Sequence, residues 1–461
     1  MSDLFQIMNT ARQAILSHTT AISVTSGNIA NVNTEGYSRL RPVFGSKGTV
    51  SGGAVDIEVG VEISAIERIF NRYLETQVVK QAQEVGYSQV RSDLLGQVDG
   101  IFDESDGGGI NELMSAFWNA WSDVSANPDG YEERDALVSA ARNLAQAFQE
   151  RSRELTGVQV DANETLASDI EDLNGYLGEI ADLNDKIVEV EITGGTASDL
   201  RDKRSELLKT VSGLIELDYY EASDGSLNIF LSNGRSLVEG GKSFALDVVV
   251  NPSNDNYYDV VFESDPGTAI NGQIQSGEIA GLLSVRDDLV PGYLSDLDDL
   301  ANNLVSAVNS QHGQGFDLNG DPGGNFFAVG SGAGDMEVDA AILADSGKIA
   351  ASATVDGDGD NALSISTIQD SLIMKGNTLT AGSFYSSLVS RVGGDVQNAS
   401  RSLEHQTVIQ EQYETSMESF SGVSLDEEMV NLIRYQMGYN AAGKLCGVVA
   451  EMMDTLIALG E

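Results

Sequence analysis

Between Tyr131 and Val190 the chain runs sixty residues without a proline and with only three glycines, Gly157, Gly175 and Gly178, and most of its residues there are good helix formers. As one helix this stretch reaches about 90 Å at 1.5 Å per residue. A helix of that length does not fit inside an ordinary globular domain, so the chain is expected to build an elongated rod. Other segments share the helical period: Ile66 to Phe102, the short NELMSAFWNAWSDVSA stopped at Asn127-Pro128, and DLRDKRSELLKTVSGLI. Two more run from Glu278 to Gln311, broken or restarted at Pro291, and from about Ile365 to Phe420, interrupted near Gly376 to Gly382. Phe117, Trp118 and Trp121 read as core anchors that pack against the flanking long helices.

The period changes to that of strands over residues 216–280, where short apolar runs surround a turn signal at Asn233-Gly234. This predicts a small β-rich module inserted into the helical chain. Residues 38–65 are short and extended, and VDIEVGVEIS alternates around Gly60 like a hairpin or two-stranded ribbon. HGQGFDLNGDPGGNFFAVGSGAG reads as loop, as do the Gly/Asp-rich residues 331–362, including VDGDGDN, which are expected to be solvated.

The ends differ from the middle. Residues 3–33 carry Leu4, Ile7, Ala11, Ile15, His18, Ile22, Thr25, Ile29 and Val32 on one helical stripe, although this segment is too polar to be stable alone. Its end is marked by Asn28, Asn31 and Asn33 as capping and turn residues, then Thr34, Glu35, Gly36 and Tyr37, with Gly36 suited to a left-handed position. After Ser424 and the acidic Asp426, Glu427 and Glu428, a final helix places Val430, Ile433, Met437, Ala441, Leu445, Val448, Met452, Leu456 and Leu459 on one stripe. A second row, Cys446, Val449, Met453 and Ile457, widens that face beyond a coiled-coil seam. Pairing the two ends would order both.

The predicted fold is therefore mainly α with an inserted β-rich module, an elongated, nested multi-domain rod with paired N- and C-terminal helices. Residues 1–37 with 423–461 form the terminal helical unit, 38–215 with 281–422 the long-helix rod with its loops, and 216–280 the β-rich insert. Charge separates the same regions. The net charge of −45 arises from 71 acidic and 26 basic residues, yet residues 1–35 and 424–461 together contribute only about −5. Nearly neutral, apolar-striped ends on an acidic middle imply ends buried against other subunits. An acidic surface repels nucleic acid and anionic membranes. No run of 18 apolar residues predicts membrane insertion.

Little in the sequence points to chemistry. His18, His312 and His405 lie far apart, with no paired metal-ligand motif, and His18 reads as a packing residue. The lone Cys446 cannot form an intramolecular disulfide. Asp317, Asn319 and Asp321 have the spacing that opens a calcium loop, but Gly323 and Ala328 occupy the seventh and twelfth positions, so no metal and no cofactor is expected. There is no phosphate loop, nucleophile elbow or conventional signal peptide. No enzyme is predicted.

SVTSGNIANVNTEGYSR, residues 23–39, resembles the N-terminal motif of the flagellar rod, hook and hook-associated axial proteins, with Gly27 where that motif usually has a second asparagine. SGVSLDEEMVNLIRYQMGYNAAGKLCGVVAEMMDTLIAL resembles the C-terminal part of the same family, and the WNAWSDVSANPDG and DLNGDPGGNFF segments are similar to those of its hook–filament junction members. The resemblance implies a structural protein secreted through the flagellar type III apparatus and held by an export chaperone at its C-terminal region. It further implies self-association in a ring or short helical layer between the hook protein and a second junction protein. Asn28, Asn31, Asn33, Gly36 and Tyr37 match the first motif, and Leu425, Asn431, Leu432, Tyr435, Gln436, Tyr439 and Met452 the second. The alternatives are another axial protein, such as a hook or flagellin-like junction protein, or a surface adhesin with the β module as its ligand face.

Overall fold

Two antiparallel helix pairs, one following the other toward the middle of the chain, frame the computed structural model, which describes residues 2–34, 36–51, 56–58, 60–104, 108–355 and 357–458. Glu35, residues 105–107 of the DESDGGG loop, Asp356 of VDGDGDN and Leu459 of the terminal stripe lie outside the described residues. The chain begins with α1 (Ser2–Ala30) and continues into an antiparallel ribbon. One arm of the ribbon is β1 (Leu40–Ser46) and β2 (Thr49–Ser51); the other is β3 (Asp56–Glu58) and β4 (Val61–Arg68). The register runs from Leu40 opposite Arg68 through Ser46 opposite Val61 to Thr49 opposite Glu58. Gly60 therefore lies within one arm, between β3 and β4, and the two arms form the two-stranded ribbon expected of this segment.

The next helix, α2 (Arg72–Phe102), starts six residues later than the apolar period suggests, because Ile66 to Arg68 still pair with β1. Asn71 then caps the helix, its side chain accepting from the amides of Tyr73 and Leu74 at 3.1 and 3.3 Å. After α3 (Ile110–Ala126) comes α4 (Tyr131–Ile192), a single helix of 62 residues, followed by α5 (Ser198–Leu214). On α4, Leu137, Leu144, Phe148, Leu155, Leu166, Leu173, Leu177, Ile180 and Ile187 recur at helical spacing and are all 0 % exposed. Burying each contributes about 1.5–3 kcal/mol, so packing rather than propensity holds the rod.

The inserted module is two small antiparallel sheets. The first is a meander of β5 (Asp218–Glu221), β6 (Leu227–Phe230), β7 (Ser236–Glu239) and β8 (Lys242–Ser243), with the expected Asn233-Gly234 turn between β6 and β7. The second consists of β9 (Leu246–Val250), β10 (Tyr258–Phe262) and β11 (Asp265–Ala269). Asn184 staples α4 to the first sheet: its amide donates to Leu227 O and Gly240 O, and its carbonyl accepts from Leu227 N.

Helix α6 (Glu278–Leu283) then runs without a break through a π-helical turn, Ser284–Leu289, into α7 (Val290–His312). The interruption expected at Pro291 is thus a change of winding: the wider turn just before it accommodates the missing N–H and the ring. Short α8 (Ala340–Ala344) and α9 (Asp360–Ser366) precede α10 (Ala381–Ser421) and α11 (Leu425–Ala458).

The segment expected to be solvated loop instead contributes to the hydrophobic core shared with the helices. Phe326, Phe327, Ala333, Met336, Val338, Ile342, Ile349 and Ala351 are buried, single apolar residues between turns that carry no period to read. Phe117 and Trp121 pack here as well as on neighbouring helices, with Trp121–Phe326 ring centroids 5.0 Å apart and Phe117–Phe327 5.6 Å. His312, fully buried, accepts from Ala350 N at Nε2 (2.8 Å) and so carries its proton on Nδ1, which donates to Gly324 O (2.7 Å). The calcium-like spacing is occupied by an ammonium: Lys348 Nζ lies 3.0 Å from Asp317 and 3.3 Å from Asp321.

Candidate assembly interface at the terminal helix pair

Residues 400 positions apart meet where α1 ends and α11 begins. Asn28, 1 % exposed, uses its entire hydrogen-bonding capacity there. Its amide donates to Leu40 O (2.8 Å) and to Glu428 Oε2 (3.0 Å), while its carbonyl accepts from Tyr37 OH (2.9 Å) and Leu40 N (3.0 Å). Glu428, 2 % exposed, is neutralised by Arg39, whose guanidinium reaches it at 2.8 Å and Glu427 at 2.6 Å. Burial lifts the Tyr37 hydroxyl above its ordinary pKa, and the nearby Asp202 and Glu428 carboxylates act in the same direction.

The network continues into the rod. Ser38 N donates to Asp202 Oδ2 (3.1 Å), Arg68 pairs with Asp202 (2.6 Å), and Ser205 on α5 donates to the buried Glu75 of α2 (2.7 Å). Backbone bonds tie the three chain crossings together: Arg39 N donates to Ser421 O and Ile69 N to Arg39 O. Asn31 holds the last turn of α1 through Gly27 O and accepts from Thr34, whereas Asn33 is an exposed turn residue. Gly36 has φ of +74°, the left-handed conformation expected of it.

Beyond this knot the helices run antiparallel, because Asn28 meets Glu428 while His18 meets Tyr435 and Gly438. A Cβ on Gly438 would lie 2.4 Å from the His18 ring, so the helices approach closely at this point. His18, Phe44 of β1 and Tyr435 form an aromatic cluster joining α1, the ribbon and α11, with centroids 5.7–6.4 Å apart. Burial lowers the His18 pKa. On α1 the hidden residues are Ala11, Ser17, Ala21, Thr25 and Asn28, mostly small, with Ser17 Oγ donating to Val61 O of the ribbon.

α11 meets α1 with only one side. Glu428, Ala442 and Val449 are buried, and Leu432, Tyr435, Cys446 and Met453 are half-buried on the same side. The other side carries Val430, Ile433, Met437, Leu445, Val448, Met452 and Leu456, all exposed, with Met437 at 67 % and Val430 at 56 %. Among the motif residues, Leu425 and Tyr439 are exposed, Gln436 is exposed and Asn431 is half-buried. The two rows seen in the sequence are thus divided: part of the narrower row faces α1 and the longer stripe remains outward.

Sequence reasoning singled out Asn28 and Tyr37 but missed Arg39, Arg68, Asp202 and Glu428, which complete the knot. Glu428 stood among three consecutive first-turn acids, and nothing local distinguishes the buried one. Among the described residues no group of three or more His, Cys, Asp or Glu could hold a metal, and no helix is long and apolar enough to cross a membrane.

Residues 95–327, just over half of the chain, match the model of the flagellar hook-associated protein FlgK helical domain, and residues 414–459 match the flagellar basal body rod FlgEFG protein C-terminal model. Flagellar hook-associated protein 1 of Bacillus subtilis (strain 168) is 27 % identical over 502 residues, covering 99 % of this chain and 98 % of that protein. The Escherichia coli (strain K12) protein of the same name is 24 % identical, covering 98 % and 99 %. The flagellar hook junction protein FlgK from Burkholderia pseudomallei shares the fold, with a TM-score of 0.67 at 17 % identity over 75 % of this chain and 100 % of that one.

Proposed function

The chain belongs to the flagellar hook-associated protein FlgK family, and on that premise we propose how its two ends work. It is a structural protein of the bacterial flagellum, secreted and located at the junction of hook and filament, and it is not an enzyme. The observation that carries the mechanism is the outward apolar stripe of α11, seven residues on a helix that also packs against α1. A lone subunit leaves that stripe in water, so its stable environment is a neighbouring surface of the same kind.

In this reading copies of the chain associate through Val430, Ile433, Met437, Leu445, Val448, Met452 and Leu456, in a ring or short helical layer. Asn28, Asn31, Asn33, Gly36 and Tyr37 fix the angle at which the terminal pair leaves the rod. Residues 1–37 with 423–461 then form the tube-building unit, 38–215 with 281–422 the rod, and 216–280 an outward insert. The ribbon packs along α1 and stiffens that unit. Hook protein below and a second junction protein above would meet the same layer. Before assembly an export chaperone on the C-terminal region would cover the stripe.

The test is the combined substitution Val430→Glu, Met437→Glu and Val448→Glu in an otherwise intact cell. The expected result is a variant whose isolated subunit is folded, in cells with hooks that lack filaments by electron microscopy and flagellin lost to the medium. Normal filaments on the variant would contradict the interface.

A further inference from the structure

Away from the terminal pair, a cavity of about 430 Å³ opens where α2, α4, α5, α6 and α10 converge. One wall is a very close helix crossing: a Cβ on Gly86 of α2 would lie 2.1 Å from Gly213 O of α5 and 3.2 Å from Cγ of Glu278. Glu278 therefore lies across that crossing. It is also the first residue of α6, the point at which the chain returns from the β module. Gln83 of α2 pins both ends of the module here, its carbonyl accepting from Gly277 N (2.9 Å) and its side-chain amide donating to Leu217 O (2.9 Å).

Asp169 of α4 lines the same cavity, and its Oδ2 is buried without a hydrogen-bond partner. The surrounding groups do not neutralise the two carboxyls. Asp93 of α2 and Asp172 of α4 add negative charge, Glu206 of α5 lines the wall, and Tyr176 and Gln410 are neutral. Lys209 of α5 is engaged by Glu414 of α10 at 2.7 Å. Burial first, then the neighbouring acids, raises Asp169 from 3.8 to about 6 and Glu278 from 4.5 to about 7.

We propose that Asp169 and Glu278 form a protonation-operated clamp, which locks the returning end of the β module onto the helical body when protonated and loosens it when both carboxyls ionise. The sign follows from linkage. Groups raised in the folded state bind protons that the unfolded chain has released, so their contribution is complete below the unfolded values of 3.8 and 4.5 and is lost as pH rises through about 6 to 7. Two like charges in one partly desolvated cavity then push apart the elements that carry them. The clamp is independent of the apolar stripe on α11.

Hydrogen exchange of the full-length protein at pH 5.5 and 8.0, corrected for the intrinsic rate, tests the clamp through the amides of residues 274–283. Protection there is expected to fall about tenfold or more from the lower to the higher pH, the effect of one pKa unit of linkage. Amides of α3 serve as the reference. Glu278→Gln should flatten the profile at high protection, and Asp169→Asn provides the second reading should the first variant fail to fold. Equal wild-type protection at both pH values, or an unchanged slope in the folded variant, would overturn the clamp.

Discussion

On α4, Leu137, Leu155, Leu173 and Ile187 are 0 % exposed, whereas Val430, Met437, Val448 and Met452 on α11 are 51–67 % exposed, though both sets recur at the same helical spacing. The rod uses its stripe within one chain, against α3, α5 and α7. The terminal pair joins through small residues and a buried polar knot, and retains its largest apolar side chains on the outside. A rod that satisfies itself can be rigid before assembly. Ends held by a few specific hydrogen bonds are registered but incomplete, as an element that polymerises must be.

The comparison is broken most sharply at the knot. Arg39→Met leaves the Glu428 carboxylate buried without its cation, and a loss of about 3–5 kcal/mol in α1–α11 pairing is expected. Hydrogen exchange should show it in residues 15–30 and 430–445, with the rod's denaturant transition unchanged; simultaneous unfolding of both would mean the regions are not separable. Leu173→Ala does the reverse, costing the rod about 2–5 kcal/mol through its cavity. Val448→Ala, by contrast, should stay within about 0.5 kcal/mol in the isolated subunit, and similar costs at the two positions would erase the distinction.

Acid sharpens the contrast next. Burial holds the His18 pKa below its ordinary 6.5, so the neutral ring favours the paired state. That stability is complete above 6.5 and is lost as pH falls through the lowered folded value. Acid should therefore loosen the ends, and His18→Phe should remove that sensitivity when followed by circular dichroism; a profile unchanged by the substitution would discount the imidazole. A small gain is expected at Gly27, a helical position where a Cβ meets nothing within 4 Å. Gly27→Ala should stabilise α1 by about 0.5–1 kcal/mol in thermal unfolding, and destabilisation would show that another contact uses the glycine.

Most of the helical scaffold was legible because a period of 3.6 records a face: α4 and α5 lie within a residue or two of where the pattern places them, and the two sheets fall where the period changes. What could not be read lacks such a record. Phe326 and Phe327 are core residues in a segment whose glycines and aspartates signal only turns. Arg39 and Glu428 lie 389 positions apart, and their pairing exists only after the nested helices bring both ends to one place. The apolar character of α11 was plain, but periodicity alone could not tell which of its two rows would meet α1.

Methionine oxidation measures the central claim most directly, that the outward stripe of α11 is open in the isolated subunit and covered in the assembled flagellum. In the isolated subunit Met429, Met437 and Met452, 51–67 % exposed, should react rapidly with peroxide, while the buried Met114, Met336 and Met374 stay reduced as internal references. In purified hooks carrying the junction, Met437 and Met452 should become as protected as those references. Continued rapid oxidation of both in the assembly would contradict the account.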